Sequence, residues 1–397
     1  MTNKLRVLTF STLYPNAIRR QHGVFVETRL RYLVASGQVE STVLAPTPWF
    51  PSSHPMFGEY AKHANVPAHE IRHGLEVFHP SYVVLPKVGM SIAPTLLYLS
   101  ARLALKKLLA EGRRFDVIDS HYFYPDGVSA VLLGREFGIP VSITGRGADL
   151  TQIPDYGIPR RQILWAAKHA ACMITVCKSL KDSLVDLGAE AGKIHVLRNG
   201  VDLEQFKLVD RIAARAELGL SGPTIVSVGA LIPRKGHDLT IQAMTKLRHA
   251  TLLIVGEGRE LANLKALVDR LGLVQRVRFV GQQPHDKLTM YYNAADISVL
   301  ASSSEGWANV LLESMACGTP VAATDVSGTP EVVTAPEAGL LISQRTPECI
   351  ADTIIRLFSN LPLRAETRAH AEKFSWDATT DGQLQLFRSM MTEARNS

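Results

Sequence analysis

The chain alternates short apolar runs with longer segments in which apolar residues recur every three or four positions. Short runs rich in Val, Ile and Leu predict buried strands, whereas the longer period predicts helices with one face turned to a core. This alternation is typical of βα units around parallel sheets, so the predicted fold class is α/β. Strands are predicted at 5–10, 41–44, 117–119, 141–144, 173–176, 194–196, 224–228, 251–255, 278–280, 297–300 and 321–323.

Helices are predicted where the longer period is bounded by residues that begin or end helices. Gly138 and Pro140 end one such segment, and Gly318 and Pro320 end another, because neither residue type continues a helix well. The predicted helices include 23–35, 128–137, 211–218 and 309–316.

The chain is long enough for two domains. Its 397 residues, 46% of them hydrophobic, supply two cores of ordinary size. A turn-rich stretch, Asn-Gly-Val-Asp at 199–202, separates two series of strands, so we predict one doubly wound parallel sheet before it and another after it. Open parallel sheets bind ligands outside the carboxyl ends of their strands, and a cleft between the domains is therefore the expected place for chemistry.

The charge of the chain is modest and unevenly distributed. The net charge is +6, and no basic run is interleaved with aromatic residues, which argues against nucleic acid as a partner. Residues 1–202 carry 23 Lys+Arg against 16 Asp+Glu (net +7), and residues 203–397 carry 20 against 21 (net −1). The basic first half is compatible with contact to anionic lipid headgroups and equally with solvated helix faces. Its basic residues include Arg19, Arg20, Arg29, Arg31, Arg102, Lys106, Lys107, Arg113 and Arg114.

Cysteine usage and apolar segments indicate a cytoplasmic protein that is soluble or peripheral to a membrane. Four cysteines show no zinc or redox spacing, so we expect buried thiols in a reducing compartment. The apolar stretch at the start is too short for a signal peptide and is interpreted as the first strand. The apolar segment 92–105 is interrupted by Arg102 and is too short to span a bilayer.

Residues 302–331, SSSEGWANVLLESMACGTPVAATDVSGTPE, place two carboxylates around the start of a helix. Glu305 lies in the polar loop before the predicted helix 309–316, and Glu313 lies one turn inside it. Helical side chains lean toward the N-terminus, so both carboxylates can face one ligand. Free N–H groups and the helix dipole favour phosphate at this point. On this pair alone, a surface helix with incidental glutamates remains an alternative.

The same stretch resembles glycosyltransferase family 4, whose mark is a Glu, seven residues and a second Glu. The resemblance implies the GT-B architecture, with two Rossmann-like domains facing across a cleft. It implies that Glu305 contacts the donor sugar beside the reacting carbon and that Glu313 holds the ribose hydroxyls. The implied donor contacts are Gly229, Arg234, Lys235, Gly256, Glu257, Gly281, Gln282, Glu305, Gly306, Trp307, Ala308, Asn309, Val310 and Glu313.

Further matches to this family cover almost the whole chain. In VSVGALIPRKGHDL, residues 226–239, Lys235 occupies the place of the lysine that neutralises the donor diphosphate. The family often has Arg after the first Gly of this motif, but this chain has Ala230, and Arg234 is the available replacement. The resemblance also implies that a final helix over 375–397 crosses back to the first domain, 1–202, and leaves 203–374 as the donor-binding domain.

The first domain carries weaker signals. Gly23 occupies a place where the family lets backbone approach the donor phosphate, although a helix cap is an alternative. His121 follows a predicted strand end, where it can relay a proton or serve structure. In SITGRGADL, Arg146 replaces the family's usual His, while Gly147 and Asp149 match. Arg cannot shuttle protons but offers fixed charge and forked donors to phosphate or a carboxylated sugar.

The resemblance implies a retaining, metal-independent hexosyltransferase that uses a UDP- or GDP-linked sugar as co-substrate. Glu305, Lys235, His121 and Arg146 are the implied catalytic residues, and Gly23 and Asp149 belong to the phosphate and acceptor side. No Asp-x-Asp pair occurs, so the carboxylate metal clamp of the other large transferase architecture is absent. TLYPN, HGVFVETRLR and EGWANVLLE resemble enzymes of teichuronic acid and exopolysaccharide synthesis, which implies a glycan or lipid-linked acceptor at the inner membrane face. A nucleotide-sugar epimerase and an inactive sugar-nucleotide-binding scaffold remain as alternatives.

Overall fold

The computed structural model describes residues 4–54, 56, 63–84 and 89–396. Contacts divide the chain into two compact units. The first runs to Arg198 and includes the segment from Asp377 onward; the second is Asn199–Trp376. Residue 397, the last of the predicted final helix, lies outside the described residues.

The first unit is built on an eight-stranded sheet with the order β10-β9-β8-β7-β1-β2-β5-β4. Every neighbouring pair is parallel except β4 and β5, which form an antiparallel hairpin. Its strands are β1 Leu5–Phe10, β2 Val39–Leu44, β3 Thr47–Pro48, β4 His69–Arg72, β5 Leu75–Phe78, β6 Ser81–Tyr82, β7 Val117–His121, β8 Val141–Gly145, β9 Cys172–Thr175 and β10 Ile194–Val196, where β3 and β6 pair separately. Its helices are α1 Val24–Ala35, α2 Gly89–Ala110, α3 Val128–Phe137, α4 Ala148–Thr151, α5 Gly157–His169, α6 Lys178–Asp186 and, from the end of the chain, α15 Asp377–Asn396.

The second unit is a six-stranded, all-parallel sheet with the order β13-β12-β11-β14-β15-β16. Its strands are β11 Thr224–Val228, β12 Thr251–Val255, β13 Val277–Gly281, β14 Ile297–Leu300, β15 Val321–Thr324 and β16 Gly339–Ile342. Its helices are α7 Arg211–Glu217, α8 His237–Ala243, α9 Leu261–Arg270, α10 Leu288–Ala294, α11 Asn309–Ala316, α12 Thr329–Val332, α13 Pro347–Ser359 and α14 Arg364–Glu372. The order of the strands reverses between β11 and β14, which makes that point the switch where doubly wound sheets bind ligands.

Buried aliphatic side chains from strands and helices form the core of the second unit. Ile225, Leu252 and Ile254 from the strands pack in one cluster with Ile241 of α8 and Ile350 of α13, all fully buried. Each such side chain contributes about 1.5–3 kcal/mol through the burial of apolar surface. This core fixes the strand ends from which the loops of the candidate site emerge.

The structure adds elements that the sequence pattern did not predict. The hairpin of β4 and β5 was missed because β4 alternates exposed and half-buried residues and carries charge, and so lacks the signal of a core strand. Strand β7 extends to His121, two residues beyond its predicted end, because His121 pairs in register with Thr144 of β8. The prediction that His121 follows the strand is therefore wrong.

The apolar segment 92–105 lies inside α2, a helix of 22 residues. Among the described residues, no helix combines the length and apolar character that crossing a bilayer requires. Cys172, Cys177 and Cys317 are buried and Cys349 is half-buried, and all four are free thiols.

Candidate functional site

Two loops meet at the switch point of the second unit. The loop after β11 runs through 229–236 and the loop after β14 through 301–308. The backbone N–H of Ser303 donates to the carbonyl of Arg234 at 2.9 Å, which joins them. Gly236 has φ +67°, and a Cβ there would lie 2.2 Å from the carbonyl oxygen of Ala301. Glycine is therefore required at this contact, which sets the spacing of the two loops.

Lys235 and Glu305 are brought into direct contact by these loops. The Lys235 Nζ donates to Glu305 Oε1 at 2.5 Å, and the buried Ser302 hydroxyl donates to the same oxygen at 2.6 Å. Arg234 Nη1 lies 3.5 Å from that oxygen and donates to the carbonyl of Ser304 at 2.6 Å. Among the described residues, no donor reaches the other carboxylate oxygen of Glu305, Oε2, so this oxygen keeps its acceptor capacity.

The carboxyl of Glu305 is held ionised by this environment. Its burial raises the pKa, but the charge and hydrogen bond of Lys235, the Ser302 hydroxyl and the charge of Arg234 together outweigh burial and lower the pKa below its usual range. The side chains of Glu305 and Lys235 are only 9% and 14% exposed, so the pair is weakly screened by solvent. The site therefore holds a fixed anion and a fixed cation in contact.

The helix α11 begins between the two predicted glutamates. Its N-cap residue, Ala308, makes no side-chain cap hydrogen bond, and no acidic residue lies in the first turn. Asn309 at the first helical position accepts a hydrogen bond from the Asn199 amide at 3.2 Å, and Trp307 and Ala308 are buried. An uncapped helix start with its positive dipole end is a favourable place for phosphate.

Glu313 lies in a second cluster, separate from Lys235. His285 Nε2 lies 3.0 Å from Glu313 Oε1, and the Tyr292 hydroxyl donates to Oε2 at 3.1 Å. Burial lowers the pKa of His285, but the hydrogen bond and charge of Glu313 outweigh it, so the net shift is upward. The structure thus joins Lys235 with Glu305 directly, whereas Glu313 is connected to Glu305 through the start of α11.

Ser302, His285 and Tyr292 were not identified from the sequence. Ser302 was noticeable as the first polar residue after β14, three residues before Glu305. His285 follows the loop after β13, at the edge of the sheet where ligand contacts are expected. Tyr292 gave no local signal, because it lies in the interior of α10 and meets Glu313 only through the fold.

The remaining predicted donor residues sit on neighbouring strand ends. The N–H of Gly229 donates to Val255 at 3.0 Å, and that of Gly256 donates to Gly281 at 2.9 Å, so the loops after β11, β12 and β13 are stacked by backbone hydrogen bonds. The carbonyl of Glu257 accepts from Leu231 at 2.8 Å. The side chains of Glu257 and Gln282 are exposed, as is Ala230. Gly306 and Val310 are half-buried beside the start of α11.

In the first unit, His121 is fully engaged inside the protein. Arg146 Nη2 lies 2.7 Å from its Nδ1 and Asp119 Oδ2 lies 3.2 Å from its Nε2. Because guanidinium cannot accept a hydrogen bond, Nδ1 is the acceptor and Nε2–H is the donor. Burial, with a smaller contribution from Arg146, lowers the pKa of His121 to about 4 against the opposing charge of Asp119. A neutral imidazole with both nitrogens occupied positions its neighbours rather than relaying protons.

The same network continues to the end of the chain. Gln383 of α15 donates to Asp119 Oδ2 at 2.7 Å and accepts from Arg29 Nε at 3.0 Å. The guanidinium of Arg146 lies 5.3 Å from the centre of the Phe25 ring, within cation–π range. Arg146 is 8% exposed, so the part of it that a ligand can reach is small. The final helix thus completes the polar interior of the first unit.

Asp149 and Gly23 shape backbone loops. The carboxylate of Asp149 accepts hydrogen bonds from the N–H groups of Phe123 (2.8 Å), Arg146 (3.1 Å) and Gly147 (2.7 Å). Gly23 is the N-cap residue of α1 with φ +74°, and a Cβ there would lie 2.2 Å from the Leu13 carbonyl. Asp149 therefore organises its loop instead of offering acceptor groups to a ligand, and Gly23 allows the loop after β1 to pass against α1.

A buried carboxyl ties two loops of the first unit together. Asp126 is fully buried and accepts hydrogen bonds from the backbone N–H and the hydroxyl of Thr12. Burial raises the pKa of Asp126 to about 7, although the bonds from Thr12 oppose the shift. These loops follow β7 and β1, the strands where the first sheet reverses its order.

This carboxyl gives the first unit a pH dependence. A carboxyl whose pKa is higher in the folded state stabilises the fold below its unfolded pKa near 4, and the stabilisation is lost as pH rises through about 7. We predict that the unfolding free energy of wild type, relative to Asp126→Asn, falls between pH 4 and pH 7. Urea unfolding of both proteins across this range measures it. A constant difference would contradict the prediction.

Among the described residues, no group of three or more His, Cys, Asp and Glu side chains is arranged to hold a metal ion. The clusters at Glu305 and Glu313 each hold a single carboxylate. The polar groups assembled at this sheet edge are instead a Lys, an Arg, an uncapped helix start and two separate acids, which suits a ligand with phosphate and hydroxyl groups.

Two family models match the chain over nearly all of its length. Residues 23–205 match the model described as Glycosyltransferase Family 4, and residues 210–374 match the model described as Glycosyl transferases group 1. D-inositol 3-phosphate glycosyltransferase of Acidothermus cellulolyticus is 34% identical over 312 residues, covering 71% of this chain and 69% of that protein. The protein of the same name from Mycobacterium leprae (strain Br4923) is 32% identical over 299 residues, or 69% of each chain.

Solved structures share the fold at low identity. Sucrose-phosphate synthase from Thermosynechococcus elongatus superposes with a TM-score of 0.82 at 22% identity, covering 98% of this chain and all of that one. HepE of Anabaena in complex with UDP-glucose gives 0.74 at 18% identity with the same coverage. The predicted GT-B fold class is confirmed by these neighbours and by the two doubly wound units. The chain belongs to glycosyltransferase family 4 and is a glycosyltransferase enzyme.

Proposed function

We propose that this enzyme transfers a hexose from a nucleoside-diphosphate sugar to a hydroxyl group, with retention of configuration and without a metal ion. The contact between Lys235 Nζ and Glu305 Oε1 at the switch point carries this proposal. A leaving nucleoside diphosphate gains negative charge as the glycosidic bond breaks, and fixed cations stabilise it. Lys235 and Arg234 supply two such cations, and the charge of Lys235 acts more strongly because its side chain is the more buried of the two.

Glu305 complements this charge at the sugar. The reacting carbon becomes positive in the transition state, and an ionised carboxylate beside it stabilises that charge. The oxygen Oε2 of Glu305 is the one without a donor from the described residues, so it is the atom proposed to face the sugar. The diphosphate would then lie over the start of α11 and the ribose toward Glu313.

Two classes of acceptor follow from different observations. The resemblance to enzymes of teichuronic acid and exopolysaccharide synthesis supports a glycan or lipid-linked glycan. The named relatives support a phosphorylated polyol, since they are called D-inositol 3-phosphate glycosyltransferases. Because the names of relatives at more than 30% identity are the more direct support, inositol 3-phosphate is the first acceptor to test, and lipid-linked glycans are the second.

Hexose transfer measured in the presence of a metal chelator tests the proposal. We expect that the enzyme, incubated with UDP- and GDP-linked hexoses and each acceptor class in excess EDTA, forms a glycoside with the donor's anomeric configuration. Activity that requires an added divalent metal would contradict metal independence. Conversion of the donor sugar without any acceptor would identify an epimerase, and donor binding without product on any acceptor would identify an inactive scaffold.

We also propose that the first unit contacts a membrane through one surface of helix α2. Helix α2 exposes Ile92, Leu99 and Leu103 on one side, and Lys106 and Lys107 follow at its end. Apolar side chains next to cations match an anionic lipid surface at the inner face of a cell membrane.

We expect the protein to cosediment with phosphatidylglycerol vesicles and to dissociate from them as NaCl rises. Salt shortens the Debye length from about 10 Å at 0.1 M to about 3 Å at 1 M, which weakens attraction between exposed charges. Phosphatidylcholine vesicles are the neutral control. Binding that does not fall with salt would count against an electrostatic contact.

A further inference from the structure

Both oxygens of Glu313 already receive a hydrogen bond inside the second unit. His285 Nε2 lies 3.0 Å from Oε1, and the Tyr292 hydroxyl lies 3.1 Å from Oε2. A carboxylate has about four acceptor positions, so two remain after these bonds. Two acceptor positions on adjacent oxygens match the two vicinal hydroxyls of a ribose. The carboxylate is thus oriented before any ligand arrives.

The orientation of His285 is itself fixed by the segment that opens the second unit. Gln205 Nε2 donates to His285 Nδ1 at 2.9 Å and to the backbone carbonyl of His285 at 3.1 Å. The carbonyl can only accept, so the amide of Gln205 must present its NH₂ group to both atoms. Nδ1 of His285 is therefore an acceptor, and its Nε2 carries the proton that is donated to Glu313.

Packing holds the two donors in place. Phe206 is buried and meets the ring of His285 edge-on, with 5.1 Å between ring centroids, and the ring of Tyr292 at 6.1 Å. Tyr292 is fully buried, and its backbone carbonyl accepts a hydrogen bond from Thr319 at 2.7 Å. A side chain whose ring is packed on one face and whose polar atom is bonded has lost its alternative rotamers.

We propose that His285 and Tyr292 are positioning residues that pre-orient Glu313 for the ribose of the donor, with Gln205 setting the proton on His285 Nε2. This rests on the proposed function, since it assigns Glu313 to the nucleoside of the donor. According to this proposal, the loop after β13 affects nucleotide affinity through the side chain of His285, which acts on Glu313. Lys235 and Glu305 are the residues proposed to act in the reaction. Changes at His285 or Tyr292 should therefore weaken nucleotide binding and leave the rate of transfer unchanged.

The test compares nucleotides with and without ribose hydroxyls. Dissociation constants are measured by calorimetry for UDP and 2′,3′-dideoxy-UDP with wild type and His285→Ala, and GDP and ADP with their dideoxy forms are run in parallel. A charge-assisted hydrogen bond is worth about 1.5–3 kcal/mol, or at least tenfold in affinity. Wild type should bind UDP at least about tenfold more tightly than the dideoxy form. In His285→Ala this ratio should fall toward one, mainly through weaker binding of UDP.

Matched variants separate positioning from general damage. His285→Gln keeps a donor at the place of Nε2 and should restore most of the ratio, whereas His285→Asn places its donor nearer Nδ1 and should not. Tyr292→Phe removes one hydroxyl without changing volume and should also reduce the ratio. His249→Ala, an exposed histidine of the same unit, should leave it unchanged. Unfolding temperatures of all variants confirm that the second unit is folded.

The outcomes distinguish this inference from the proposed function. If His285→Ala weakens UDP and dideoxy-UDP by the same factor, the two residues are structural and the inference is overturned. If wild type binds none of the three nucleoside diphosphates, the proposed function fails first. A ratio that falls while kcat at saturating donor is retained supports pre-orientation.

Discussion

Replacing Glu305 by Gln should lower kcat by about 10²–10³-fold without weakening the binding of UDP. The carboxylate is proposed to stabilise positive charge at the reacting sugar carbon, and loss of one such preorganised group costs this much in other enzymes. Gln no longer neutralises the ammonium of Lys235, which lies 2.5 Å from the carboxylate, so this cation becomes more available to a diphosphate. Steady-state kinetics and calorimetry with UDP measure the two effects separately.

Lys235→Ala should differ from Glu305→Gln in its effect on UDP binding, and it serves as the partner variant. It removes the cation itself, so both the affinity for UDP and the rate of transfer should fall. Exposed residues of the same unit provide matched controls, Lys246→Ala and Glu348→Gln, and both should retain wild-type activity. If Glu305→Gln retained full kcat, or if it bound UDP tenfold more weakly, the assignment of Glu305 to the sugar would be incorrect.

Asp149→Ala should destabilise the first unit by about 3–5 kcal/mol. The carboxylate is the acceptor for the backbone N–H groups of Phe123, Arg146 and Gly147, all at 3.1 Å or less, and Asp149 is fully buried. Each buried donor left without a partner costs about 1–3 kcal/mol. Urea unfolding, followed by fluorescence and circular dichroism, measures the loss.

Two further variants test the cause of this loss. Asp149→Asn keeps one acceptor oxygen and should lie between wild type and Asp149→Ala. Asp155→Ala changes an exposed Asp six residues away and should stay within about 0.5 kcal/mol of wild type. An Asp149→Ala protein as stable as the Asp155→Ala control would show that the loop has other acceptors for these groups.

The hydrophobic pattern predicted the five strands that carry the candidate site, β11 to β15, to within one residue at each end, and it missed β16 at the edge of the same sheet. Five predicted strands have the same bounds in the structure: 5–10, 194–196, 224–228, 251–255 and 297–300. The central strands β11, β12 and β14 are almost fully buried, so apolar residues dominate their sequences and stand out without tertiary information. The missed hairpin, β4 and β5, lies at the sheet edge, where half-exposed residues weaken that signal.

The motifs around 235 and 305–313 identified the family and the residues of the donor side, because short glycine-rich loops and helix starts are local features. The partners of these residues are not local. Lys235 and Glu305 are 70 residues apart, and Gln383 and Asp119 are 264 apart. From the sequence, His121 was a candidate proton relay near a strand end, but only the fold shows that both its nitrogens are already bonded.

By itself, the sequence determined the α/β class, the two series of βα units, the family and the identity of Lys235, Glu305 and Glu313 as the charged residues to examine. The tertiary structure decided which atoms meet: Lys235 with Glu305, Glu313 with His285 and Tyr292, and His121 with Arg146 and Asp119. The physical reason is the distance along the chain over which each signal acts. Apolar periodicity and turn residues act over a few positions, whereas the order of strands in a sheet brings distant loops to one edge and fixes the charge and burial of each side chain there.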